Sequence, residues 1–124
     1  VLVVDDVRVS RDLTRRLLEA ANIEVVGEAA NGDEAIDKFV ETRPEVVLLD
    51  VHMPGKSGIT ALREMKRLNQ GAVVIMMTAE RQSEVIEDCY RLGASYCLNK
   101  ERDMPYVAEK IRDCLSGKLG KQTG

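Results

Sequence analysis

Tryptophan is absent from the 124-residue sequence, phenylalanine occurs once and tyrosine three times. So few rings leave no stacking platform for bases or sugars. An excess of basic residues is missing too, since 18 Lys and Arg stand against 21 Asp and Glu, a formal charge of -3. That balance carries neither the footprint of a nucleic-acid binder nor a polybasic membrane patch, so direct contact with nucleic acid or membrane is not expected. Wholly apolar runs are only a few residues long, against the ~20 that a spanning helix needs. Cysteine is sparse and odd in number, at Cys89, Cys97 and Cys114, with no Cys-x-x-Cys pair. This usage suits buried thiols in a reducing cytoplasm, which is the expected location, rather than a disulfide framework. No charged-then-apolar leader marks the chain for secretion. Its opening Val-Leu-Val-Val, without Met, is expected of a trimmed N-terminus.

What is present is ordinary in amount, 44% hydrophobic and 31% charged, and orderly in pattern. Short apolar runs alternate with longer amphipathic stretches. Strands are predicted at Val1–Val4, Glu24–Ala30, Val46–Leu49, Ala72–Met77 and Ser95–Asn99. Between and after them come five helical stripes. The first carries Val9, Leu13, Leu17 and Ala20, with Ser10 as N-cap. The second follows Asn31-Gly32-Asp33 through Ala35, Ile36, Phe39 and Val40, and Pro44 closes it. The third holds Ile59, Leu62, Met65 and Leu68, and the fourth holds Val85, Ile86, Cys89 and Leu92 before Gly93 as C′ residue. The fifth holds Met104, Val107, Ala108, Ile111 and Leu115. Three of the strands are continuous apolar runs, as strands covered by helices on both faces require. The expectation is a doubly wound α/β sandwich over residues 1–116, with 117–124 as a tail or the start of a linker.

In such sheets ligands bind beyond the carboxyl ends of the strands. The first predicted strand ends in Asp5-Asp6, the third in Asp50, the fourth in Thr78 and the fifth in Lys100. Strand ends are wet and Asp is common in turns, which accounts for any one of these residues but not for the ordered set. Carboxylates held together repel, raise one another's pKa and attract a cation. With oxygen donors and no nearby His or Cys side-chain ligand, Mg²⁺ is the expected ion. A carboxylate beside such an ion is a nucleophile for phosphorus, while Thr78 and Lys100 can address phosphoryl oxygens.

These stretches resemble the receiver domains of two-component response regulators. The likeness rests on Val-Val-Asp-Asp at 3–6 with Arg11 beyond it, Asp-Val-His-Met-Pro-Gly at 50–55 with Gly58, Val-Ile-Met-Met-Thr-Ala at 74–79, and Gly-Ala-x-x-x-Leu-x-Lys at 93–100. It implies a flavodoxin-like, five-stranded parallel sheet in the order 2-1-3-4-5 with five helices in three layers. It implies Asp50 as phosphoacceptor, served by a sensor histidine kinase, a phosphotransfer protein or a small phosphodonor. Asp5, Asp6 and Asp50 with the His52 main-chain carbonyl would hold Mg²⁺. Thr78 would be the switch hydroxyl and Lys100 the contact to the acyl phosphate, with Glu80 and His52 tuning hydrolysis. The same likeness implies an output face on the fourth helix, fifth strand and fifth helix, read by a downstream protein, an attached output domain or a phosphorylation-dependent homodimer. By this reading the chain is a switch and not an enzyme beyond its own phosphotransfer and dephosphorylation.

The sequence departs from the family at two places. The usual switch aromatic is replaced by Cys97, and the nearest ring, Tyr96, is expected on the opposite face of the strand. Glu101 follows Lys100 where many relatives have proline, so a freer loop is expected before the last helix. The ring of His52 reads as an exposed loop side chain, less important than its carbonyl. Other readings fit these residues less well. A haloacid-dehalogenase-type phosphatase would want a second Asp where His52 stands. A nucleotide or flavin module would want a Gly-rich phosphate loop, and none is present. A degenerate receiver would lack the acids that are intact here. The chain could stand alone or be cut from a longer regulator with a DNA-binding or enzymatic output.

Overall fold

The computed structural model describes residues 1–79 and 83–117. Five strands, β1 (Leu2–Val4), β2 (Gly27–Ala29), β3 (Val46–Asp50), β4 (Val73–Thr78) and β5 (Tyr96–Asn99), alternate with five helices. The helices are α1 (Arg8–Ala20), α2 (Gly32–Thr42), α3 (Gly58–Leu68), α4 (Ser83–Arg91) and α5 (Val107–Leu115), the last entered through a 3-10 turn at Met104–Tyr106. All strand pairs are parallel, in the order β2-β1-β3-β4-β5, which is the expected doubly wound topology.

Period-two alternation divides the interior into two cores. Leu2, Val4, Val47, Leu49, Val74 and Met76 face Phe39, Leu62 and Met65 of α2 and α3. Their sequence neighbours Val3, Val46, Leu48, Ile75 and Met77 face Leu18 of α1 and Val107 and Ile111 of α5. A strand buried on both sides must be apolar at every position, which is why β3 and β4 read as unbroken runs.

The ends of the helices follow from local chemistry. Asn31 caps α2 by accepting from the Glu34 N–H at 2.9 Å, and Glu34 reaches back to the N–H of Ala30, one residue before the cap, at 3.0 Å, a variant of the capping box. Gly93, at φ +104°, ends α4 with its N–H on the Tyr90 carbonyl and the Ala94 N–H on the Cys89 carbonyl, the arrangement a left-handed C′ residue permits.

Several expectations need correction. The N-cap of α1 is Val7, not Ser10, and no side chain caps that helix. Val9 and Leu13 are 79% and 52% exposed. Ser10 and Arg11 turn toward the end of β1, and that rotation buries Thr14 and Leu18 instead. Leu68, Val40 and Leu115 are also exposed. The strand expected over 24–30 is regular only at Gly27–Ala29, although the Val26 N–H still reaches the Val1 carbonyl. Met104 lies in the 3-10 turn rather than in α5. The tail beyond Gly117 lies outside the described residues.

Candidate functional site

A parallel sheet delivers all its carboxyl ends to one edge, so Asp5, Asp6, Asp50, Thr78 and Lys100 follow or end four adjacent strands there. One oxygen each from Asp5, Asp6 and Asp50 lies within 4.8 Å of the others. Asp5 is fully buried and Asp50 only 6% exposed. The Lys100 ammonium lies 3.0 Å from Asp5 Oδ2 and 3.1 Å from Asp50 Oδ2. Thr78, also buried, ends β4 next to β3, whose Asp50 pairs with Met77 in register.

The two buried acids sit in different electrostatic circumstances. Burial pushes the Asp5 carboxyl up, but bonds from the Ser10 hydroxyl, the Val7 N–H and Lys100 outweigh it and hold the group below its usual range. Burial also pushes Asp50 up. The attraction of Lys100 only partly opposes it, and Asp5 and Asp6 add repulsion, so Asp50 rises to about 6. Lys100 loses hydration by burial, yet its bonds and attraction to Asp5 and Asp50 raise it above the usual lysine value. Three carboxylates thus face one ammonium. The excess negative charge and the all-oxygen donor set fit a small divalent cation of the Mg²⁺ type.

The loop after Asp50 is held close to the acid. The Val51 N–H donates to the Met77 carbonyl and the Gly58 N–H to the Val51 carbonyl, both at 2.9 Å. A β-carbon on Gly58 would fall 1.9 Å from the Asp50 carbonyl oxygen, so only glycine fits where α3 begins. Outside the acids, an open cavity of about 620 Å³ runs from Asp6 past Asn31 and Asp33 to Pro54 and Lys56. Of the three clustered acids, Asp6 lines it.

A sequence model described as the response regulator receiver domain matches residues 1–112. The chain belongs to that family. Protein CcdB of Bacillus subtilis strain 168 is 39% identical over 120 residues, covering 97% of either chain. Response regulator GacA of Pseudomonas syringae pv. syringae is 34% identical over 94% of this chain, which spans only 55% of GacA. Among solved structures, the CheX–CheY–BeF3–Mg²⁺ complex from Borrelia burgdorferi contains a similar fold. That match has a TM-score of 0.87 and 28% identity, over 92% of this chain and 87% of that one. Receiver domains are signalling modules of two-component systems, and that membership sets the phosphatase reading aside.

In this receiver domain the fold gathers Asp5, Asp6, Asp50 and Lys100 around one point, with Thr78 at the neighbouring strand end. The His52 side chain is exposed on the loop and is not part of the acid cluster. Glu80 lies outside the described residues. Tyr96 and Cys97 do face opposite cores. The Tyr96 ring lies 5.4 Å under the Lys110 ammonium. On the other face, Cys97 donates its N–H to the Tyr90 hydroxyl at 3.2 Å, and its thiol meets that of Cys89 on α4. The loop after Lys100 is not loose. Asn99 and Asp103 knit it with hydrogen bonds.

Two functional contacts were not foreseen. The Ser10 hydroxyl bonds Asp5 Oδ2 at 2.5 Å. Arg11 donates to the Asp5 carbonyl at 2.8 Å while pairing with Glu28 of β2 at 3.1 Å, so it fixes the main chain under the buried acid. Arg11 belongs to the first motif of the likeness, which by itself does not reveal these contacts. Ser10 reads from sequence only as a helix cap, and nothing in the pattern ties its hydroxyl, in the first turn of α1, to Asp5.

Proposed function

We propose that this receiver domain accepts a phosphoryl group on Asp50, from a histidine kinase, a phosphotransfer protein or a small phosphodonor, and thereby switches a protein-interaction face. The observation that carries this reading is the buried Asp50 carboxylate clustered with two further acids and touched by Lys100. Asp5, Asp6 and Asp50, with the His52 main-chain carbonyl, would hold Mg²⁺. An ion held there would supply positive charge against the developing negative charge of phosphoryl transfer.

An Asp50 carboxylate oxygen attacks phosphorus, the bond from phosphorus to the donor atom breaks (an imidazole nitrogen in a phosphohistidine, an acetate oxygen in acetyl phosphate), and the electron pair leaves with that atom. The product is an acyl phosphate. Lys100, now bonded to Asp5 and Asp50, pairs with a phosphoryl oxygen as a point charge. The Thr78 hydroxyl donates to another. The new group brings close to two negative charges where the carboxylate had one. Drawing the β4 and β5 loops inward converts an equilibrium of 1:99 to 99:1 if the contacts differ by about 5.5 kcal/mol between the two states. A few charge-assisted bonds in a buried site supply energies of that order. Residues 1–116 form the switching module on this reading, with the output face on α4, β5 and α5. Glu80 and His52 set the lifetime of the phosphoryl bond.

Incubation with acetyl phosphate and Mg²⁺ should label the wild-type protein and not Asp50→Asn. Labelling of that variant at the wild-type level would overturn the assignment. Lys100→Ala should label slowly and lose the phosphorylation-dependent change in its NMR spectrum. A second reading, a module within a longer regulator carrying an output domain, is favoured by the GacA match, where the likeness spans only 55% of that protein. CcdB, matched over 97% of its length, favours action as a separate switch. The cytoplasm is the compartment where such a kinase partner would act. Among the described residues, no helix is long and apolar enough to cross a membrane.

A further inference from the structure

Lys100 has a long, flexible side chain, yet its ammonium must lie within hydrogen-bond reach of two acids on two different strands. Its aim therefore depends on how the main chain leaves β5. On one side the Lys100 N–H is fixed to the Thr78 carbonyl at 3.0 Å. On the other, the chain turns through a small knot. The Asn99 N–H donates to Asp103 Oδ2 at 3.0 Å, and the Asp103 N–H returns to the Asn99 carbonyl at 2.8 Å. The Asn99 side-chain carbonyl accepts the N–H groups of Glu101 and Arg102 at 2.9 and 2.8 Å.

We propose that Asp103 is a positioning residue for Lys100, acting through the Asn99 main chain. Three observations separate this from ordinary capping of the helix that follows. Asp103 precedes the 3-10 turn, yet its side chain makes no capping bond there. Its carboxylate turns back to the strand instead and is buried, although its charged partner Arg102 is exposed. Both main-chain groups of the residue before Lys100 are engaged by this one aspartate. β5 is the last strand of the sheet, so no further strand takes up the outward Asn99 N–H. The side chain of Asp103 supplies the missing acceptor. The inference rests on the phosphoryl-acceptor reading of the site, since only that reading gives Lys100 a ligand to meet.

The test compares two ligands that differ in their need for Lys100. Mg²⁺ alone is held by the acids. Beryllofluoride, a phosphoryl-sized group bound with Mg²⁺, also needs the lysine. Calorimetric titrations should show Asp103→Ala binding beryllofluoride about tenfold more weakly, with Mg²⁺ affinity within twofold of wild type. Asp103→Asn keeps an oxygen for the Asn99 N–H and should restore wild-type binding. Arg102→Ala leaves the knot intact and should bind like wild type. If Asp103→Ala does not fold by circular dichroism, Asn99→Ala, which removes the acceptor for two N–H groups, carries the same expectation. Equal beryllofluoride affinity in Asp103→Ala and wild type would overturn the proposal, as would an equal loss for both ligands. Failure of Asp103→Asn to restore binding would overturn it as well. A wild type that binds neither ligand, or a Lys100→Ala variant that binds both normally, would instead overturn the reading of the site.

Discussion

Asp50→Asn offers a test of the electrostatics that is independent of phosphorylation. Burial, reinforced by Asp5 and Asp6, raises Asp50 to about 6 from an unperturbed 3.8, against the pull of Lys100. A carboxyl raised in the folded state binds its proton more tightly there than when unfolded. Its contribution to stability is complete below about pH 3.8 and is lost as pH rises through about 6. At ~1.36 kcal/mol for each pKa unit, holding this charge costs about 3 kcal/mol at pH 7.5. Asparagine keeps the shape and removes the charge. In a chelating buffer at pH 7.5 the variant should therefore be more stable than wild type by about 3 kcal/mol. For a domain of this size that is roughly 10 °C in Tm. The gap should shrink to about 1 kcal/mol at pH 4.5, where most of the wild-type groups are protonated in the folded protein. Millimolar Mg²⁺ should narrow it from the other direction, by stabilising the wild type alone. Urea unfolding followed by circular dichroism at the two pH values, with chelator and with Mg²⁺, reads all of this. A variant less stable than wild type at pH 7.5 in chelator, or a gap that ignores pH, would refute the reasoning.

Gly58→Ala should cost more than a glycine replacement at a helix start ordinarily does. Its new methyl falls on the Asp50 carbonyl, and the β3–α3 loop must move, at about 1–3 kcal/mol. Thermal melting should show the loss, and calorimetry should show weaker Mg²⁺ binding in parallel. An unchanged melting temperature would mean that the close approach is not fixed. Asn31→Ala removes the cap of α2 and one half of its capping box, and should lower stability by about 1 kcal/mol. Denaturant unfolding checks this, with acetyl phosphate labelling expected to stay unchanged.

The doubly wound class was legible because unbroken apolar runs have one physical origin, whereas the strand order came only with the family likeness. Parallel strands covered on both faces must be apolar throughout, and Val46–Leu49 and Ala72–Met77 could hardly read otherwise. The acids and the lysine were legible for a related reason, since a charge at the end of such a run must lie at the sheet's carboxyl edge. What escaped was rotation and reach. A stripe of Val9, Leu13 and Leu17 describes a helix but not which way it faces. In α1 two polar side chains drawn to Asp5 outweigh two apolar ones left in water. Nor does a sequence reveal that Asn99 and Asp103 will stiffen a loop that lacks proline. Most of that knot is main-chain N–H groups bonded to side-chain oxygens, partners recognisable only once the turn is built.

The two outer strands of the sheet carry a separate consequence. β2 is regular over three residues and β5 over four, and the outward N–H at the end of β5 is already taken by Asp103. Short, partly occupied edges offer little template for a second sheet to add itself. The sheet therefore presents little free edge at the end of β5 to which a second strand could add.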